Sequence, residues 1–122
     1  MPSLQNVVFR LFKMLDGSYS AIFRSSLCHG SGIIIFSGSK ILGGDSHAFY
    51  SGYFKRSQGQ IFASMTTNLH TPPKVETVLF QRDKMFVDFK GTIEGKTISL
   101  EGVCLDVPGL VIKADLQLLQ GL

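Results

Sequence analysis

From Asp16 to the C-terminus, apolar side chains recur at every second position and glycine breaks the runs at short intervals. Only an extended chain sends successive side chains to opposite faces, so a period of two sustained this long points to an antiparallel sheet. In SYSAIFR, Tyr19, Ala21 and Phe23 share one face, and Ser18, Ser20 and Arg24 share the other. The run GSGIIIFSG is apolar throughout its middle, which predicts a strand covered on both sides or sharply bent. SKILGGDS predicts a brief strand and a turn at Gly43-Gly44. HAFYSGYF sets Ala48, Tyr50, Gly52 and Phe54 against His47, Phe49, Ser51 and Tyr53. Rings therefore point both ways, and Phe49 and Tyr53 need cover other than the core, from a second copy of the chain or from its own N-terminal segment.

A break at Lys55 to Gly59 leads into QIFASMTT, where Ile61, Ala63 and Met65 alternate with polar residues and Phe62 is the exception. Thr71-Pro72-Pro73 reads as a connection, because two prolines remove two ladder donors. VETVLF, KMFVDFKGTI and KTISLEGVCL follow, with a hairpin turn at Glu94-Gly95, and Val107-Pro108-Gly109 turns the chain into LVIKADLQLL. Together these segments predict an all-β chain of about eight short strands. A closed barrel is preferred to a sandwich because closure removes exposed edges and because Gly52, Gly91 and Gly102 suit bends at barrel corners. Phe23, Met65, Phe89 and Leu116 are the expected interior residues.

Residues 1–13 stand apart as an N-terminal extension, and residues 14–122 form the barrel domain. Leu4, Val7, Val8, Leu11, Phe12 and Leu15 lie at helical spacing, which suits a short amphipathic helix; a tail, with the domain starting at Met14, fits equally.

A chain of 122 residues, 44% hydrophobic and 17% charged, has the material for a real core and is not a disordered polymer. Lys+Arg 12 against Asp+Glu 9 gives a net charge of +3 scattered along the sequence, so direct nucleic-acid binding is not expected. No apolar stretch is long enough for a membrane-spanning helix and no signal peptide opens the chain, which predicts a cytoplasmic protein.

Residues with chemical potential do not assemble into a motif. Cys28 and Cys104 are far apart with no CxxC and read as buried thiols. His29, His47 and His70 lack a spacing that fixes a metal pair, and Asp45 with His47 supplies two ligands at best. Cys28 and His29 point opposite ways on an extended chain, and neither Ser25 nor Ser26 sits in a GxSxG elbow. His29 to Gly32 precedes its strand, whereas a phosphate loop follows one. Neither catalysis nor a cofactor is expected.

The blocks Met14–Phe23 and Gly30–Phe54 resemble the GrlR-type negative regulators of type III secretion genes, small bacterial proteins with a DG-Y-F opening, a GxG strand, GGD and YxG. The matching positions are Asp16, Gly17, Tyr19, Phe23, Gly30, Gly32, Gly43, Gly44, Asp45, Tyr50 and Gly52; beyond Gly59 only length and strand pattern agree. The resemblance implies a calycin-like (lipocalin-like) β-barrel that dimerises and represses its regulon by binding a transcriptional activator. The family's acidic motif in the loop after YxG, which captures the activator, falls at Arg56, Ser57, Gln58 and Gly59, none of them a carboxylate. With Lys55, Arg56 would repel a basic DNA-binding helix, so the partner or the contact surface differs. The expected function is thus a protein-binding regulator, with a carrier of a small apolar ligand as the alternative.

Overall fold

The computed structural model describes residues 15–26, 29–71 and 84–122. Eight strands, β1 (Gly17–Ser25), β2 (His29–Ser37), β3 (Lys40–Gly44), β4 (Ala48–Ser57), β5 (Gln60–Leu69), β6 (Lys84–Glu94), β7 (Thr97–Cys104) and β8 (Val111–Gly121), form a closed barrel in chain order. Each strand is antiparallel to the next, and β8 returns to β1. No helix occurs among the described residues. The N-terminal helical pattern up to Met14, Cys28, the Pro72-Pro73 connection and the VETVLF segment lie outside them.

Turn chemistry fixes the hairpins. Gln58 (φ 50°) and Gly59 (φ 79°) make a two-residue connection with both residues left-handed, the geometry whose twist matches the flanking strands. The strand β4 therefore runs through Lys55, Arg56 and Ser57, which the sequence had suggested were loop. The turn expected at Gly43-Gly44 also lies elsewhere: both glycines are in β3, and the chain reverses over Asp45 to His47. Gly43 is needed in the ladder, since a Cβ there would lie 2.1 Å from the Ile33 carbonyl oxygen.

Alternation delivers the core. Tyr19, Ala21 and Phe23 of β1, Ile61, Ala63 and Met65 of β5, Met85, Val87 and Phe89 of β6, and Ile112, Ala114 and Leu116 of β8 are all buried. The IIIF run alternates as well, with Ile34 and Phe36 buried but Ile33 41% exposed. That strand is apolar on both faces and covered on one. Phe36 is the hub of an aromatic cluster, edge-to-face with Tyr19 at 5.3 Å and with Phe54 at 5.0 Å, the offset geometry that ring quadrupoles favour.

The in-strand glycines answer to close approach. A Cβ at Gly52 would stand 2.0 Å from the Ser64 carbonyl oxygen, and one at Gly91 would stand 1.9 Å from that of Ser99. At Gly102 the obstacle is the Phe89 ring, 2.6 Å away, so this glycine makes room for an interior aromatic.

Candidate functional site

Phe23, Met65, Phe89 and Leu116 are buried, and with their neighbours they leave an interior cavity of about 10 Å³. A small-molecule site needs about 300 Å³ or more, and an apolar void of this size stays dry. The cavity lined by Phe23, Met65, Phe89 and Leu116 is too small for such a ligand.

Two polar residues of the resemblance, Asp45 and Tyr50, meet at one end of the barrel. The carboxylate of Asp45 accepts hydrogen bonds from the backbone N–H groups of His47 and Ala48, both at 2.8 Å, on one oxygen, and from the Tyr50 hydroxyl on the other. Its backbone carbonyl faces Nε2 of His70 at 2.9 Å, so that nitrogen carries the proton and Nδ1 accepts from the Thr71 hydroxyl at 2.7 Å. The backbone N–H of His70 closes the knot onto the His47 carbonyl at 2.8 Å. Gly32 and Gly44 clear the space, since a Cβ on Gly32 would lie 2.7 Å from the Gly44 carbonyl oxygen and 3.0 Å from the Tyr50 hydroxyl.

Burial, then the hydrogen bond to Asp45 and its negative charge, push the Tyr50 hydroxyl far above its usual value. It stays protonated, a fixed donor and not a base or nucleophile. Beside it in register, Thr67 is fully buried, with no partner for its hydroxyl among the described residues. Gly32, Gly43, Gly44, Asp45 and Tyr50 thus form one structural unit that closes the β3–β4 turn. Asp16 works similarly at the other end, where it accepts from the Gly38 N–H at 3.1 Å, while the buried Tyr19 hydroxyl donates to the Leu15 carbonyl at 2.8 Å. Gly17 and Phe23 serve packing, a Cβ on Gly17 meeting the Gln120 carbonyl oxygen at 2.6 Å; Gly30 pairs with Phe23 across β1 and β2.

The five residues Lys55, Arg56, Ser57, Gln58 and Gly59 do not form one surface. Lys55 is exposed on the outer face, whereas Arg56 is half-buried on the inner row, near enough to Tyr19 to act electrostatically on its hydroxyl. Burial pushes that hydroxyl up, the Arg56 charge opposes the rise and Asp16 adds to it.

The outside of the barrel carries two features, of which the sequence announces part of the first through Phe49 and Tyr53 and hides the second. The first is apolar: Ile33, Leu42 (53% exposed), Phe49 (46%) and Tyr53 (65%) lie on adjacent strands β2, β3 and β4. The second is a row of directly paired positions running across six strands: Lys55 opposite Phe62, Phe62 opposite Lys90, Lys90 opposite Glu101, Glu101 opposite Lys113, and Lys113 opposite Arg24. All are exposed. An open concavity of about 440 Å³ lies along this row, lined by Arg24, Phe62, Lys90, Glu101, Lys113 and Asp115 among others. A second, of about 590 Å³, adjoins it on the other side of Phe62 between Tyr53, Lys55, Ser64 and Asp88.

No group of three or more His, Cys, Asp or Glu that could hold a metal ion occurs among the described residues. Cys104 is a free, buried thiol. No helix among the described residues is long and apolar enough to cross a membrane. No protein-family model matches the chain, and no curated protein matches it either.

Proposed function

We propose that the chain is a non-enzymatic regulatory protein that binds another protein through the outside of its barrel, in the manner of the GrlR-type negative regulators it resembles over Met14–Phe23 and Gly30–Phe54. The observation that carries this reading is the small interior space: the cavity lined by Phe23, Met65, Phe89 and Leu116 is about 10 Å³, which favours the exterior as the acting surface. The commitment of Asp45, Tyr50 and His70 to turn closure supports it too, because their hydrogen bonds are made to one another and to the backbone of the turn. On this reading the partner is a transcriptional activator or another regulator, no cofactor takes part, and the chain works in the cytoplasm. The apolar face of Ile33, Leu42, Phe49 and Tyr53 pairs two copies into a homodimer.

The test is a reporter fused to a type III secretion promoter in a bacterium supplied with this chain. Reporter output falls when the chain accumulates, and the variant Phe49→Ser/Tyr53→Ser, with unchanged melting temperature, sediments as a monomer. An unchanged reporter in cells containing soluble, folded chain refutes the regulatory reading. An apolar compound retained through native mass spectrometry would favour the carrier instead.

A further inference from the structure

The cations Arg24, Lys55, Lys90 and Lys113 come from four different strands, and strand register gathers them onto one row of the outer surface. Phe62, 47% exposed, sits on that row directly between Lys55 and Lys90. No carboxylate among the described residues lies within ion-pairing distance of Lys55, Lys90 or Lys113, whereas Arg24 is paired with Asp115. We infer that this row is a docking strip for an acidic peptide segment carrying an apolar side chain, the cations meeting its carboxylates and Phe62 its apolar residue. The inference rests on the binding-module reading and names the partner's chemistry and the face it uses.

Geometry and charge choose this occupant. Neighbouring strands are about 4.8 Å apart, so Lys90 and Lys113, two strands apart, stand roughly 10 Å apart at their Cα atoms. An extended peptide crossing the strands presents same-face side chains about 7 Å apart, a mismatch that the flexible lysine stems absorb. Glu101 interrupts the row between the two lysines, and Asp115 flanks it. A nucleic-acid backbone carries a phosphate at every step and would meet both carboxylates. A peptide can place a neutral or basic residue there, so punctuated charge favours a polypeptide. A basic segment, including the chain's own residues 1–14 with Arg10 and Lys13 and no carboxylate, is repelled.

Fluorescence anisotropy of the purified full chain tests this with a labelled decapeptide that alternates glutamate with phenylalanine or leucine. Controls are the glutamine version of that peptide and an oligothymidine of equal length. The expected result is saturable binding of the acidic peptide that weakens with salt and is absent for the glutamine version. Lys90→Ser/Lys113→Ser weakens it roughly tenfold, the size expected of two partly exposed ion pairs. Glu101→Lys strengthens it, and Lys96→Ser, in the β7 hairpin turn, leaves it unchanged. The proposal is overturned if the acidic peptide does not bind, if Lys96→Ser weakens binding as much as the double variant, or if oligothymidine binds more tightly through the same lysines. Failure here with promoter repression intact removes the strip and leaves the regulatory reading standing.

Discussion

Replacing Tyr50 by phenylalanine removes one oxygen from a fully buried side chain and nothing else. The ring keeps its place, because its edge-to-face contact with Phe23 at 5.6 Å and 70° does not involve the hydroxyl. What disappears is a hydrogen bond to the Asp45 carboxylate, and hydrogen bonds to charged groups contribute about 1.5–3 kcal/mol. Asp45 keeps two backbone donors at 2.8 Å and is only half-buried, so water repairs part of the loss. The cost is therefore about 2 kcal/mol, toward the lower half of that range. An unfolding entropy near 2.1 cal/mol/K per residue makes this about 8 °C in melting temperature for a chain of this length. Asp45→Ala breaks the backbone bonds as well and costs more, about 3–4 kcal/mol. The decisive measurement is the double-mutant cycle by urea denaturation. In Asp45→Ala the Tyr50 hydroxyl has already lost the Asp45 carboxylate, so adding Tyr50→Phe costs less than it does alone and the double variant lies short of the sum of the two singles. Strict additivity, or a Tyr50→Phe protein as stable as the parent, would refute the claim that this turn is closed through the Tyr50–Asp45 contact.

Burial of the Tyr50 hydroxyl, and then its contact with Asp45, predicts an alkaline limit. A hydroxyl raised in the folded state above the ordinary tyrosine value of 10.0 stabilises fully below pH 10 and is lost as pH climbs beyond it, when the unfolded chain ionises first. Denaturation profiles should steepen above that point, and Tyr50→Phe should remove up to about 1.4 kcal/mol per pH unit of the slope. Gly52→Ala should prevent folding or cost several kcal/mol, because its Cβ meets the Ser64 carbonyl oxygen at 2.0 Å, whereas Gly121→Ala, with nothing within 4 Å, should be neutral in the same thermal melts. Phe89→Ala should cost about 3–5 kcal/mol and open a dry interior cavity that takes up xenon or benzene in NMR titrations; a full-cost variant that binds neither would contradict the solid-core description.

Strand alternation made most of the barrel legible. The inner sets of β1, β5, β6 and β8 can be written down from period two alone. The β3–β4 turn could not, because Gly43-Gly44 carries the usual punctuation of a reversal, yet its glycines answer to the Ile33 and Ala48 carbonyl oxygens across the sheet. The signal for the true turn was Asp45 itself, whose short carboxylate can reach the N–H groups two and three residues on. His70 joins that turn from 25 residues away, which no local pattern announces. The cation row was hidden for the same reason. Arg24, Lys55, Lys90 and Lys113 look scattered until the registers of five strand pairings align them, and register is a property of the closed sheet. Arg56 parts from Lys55 because a strand that continues to Ser57 sends neighbouring side chains to opposite sides.

Seven of the eight strand pairings join neighbours in sequence, and the eighth, β8 to β1, ties residues as far apart as Ser18 and Gln120. A growing polypeptide can zip the first seven strands as they emerge, but the seam waits for β8 to leave the ribosome. Until then two raw margins, β1 and β7, are open to any extended chain in reach. A message truncated before Val111 would yield not a weaker version of this protein but a sticky half-cylinder, for which a second unfinished copy is the readiest substitute for the missing stave.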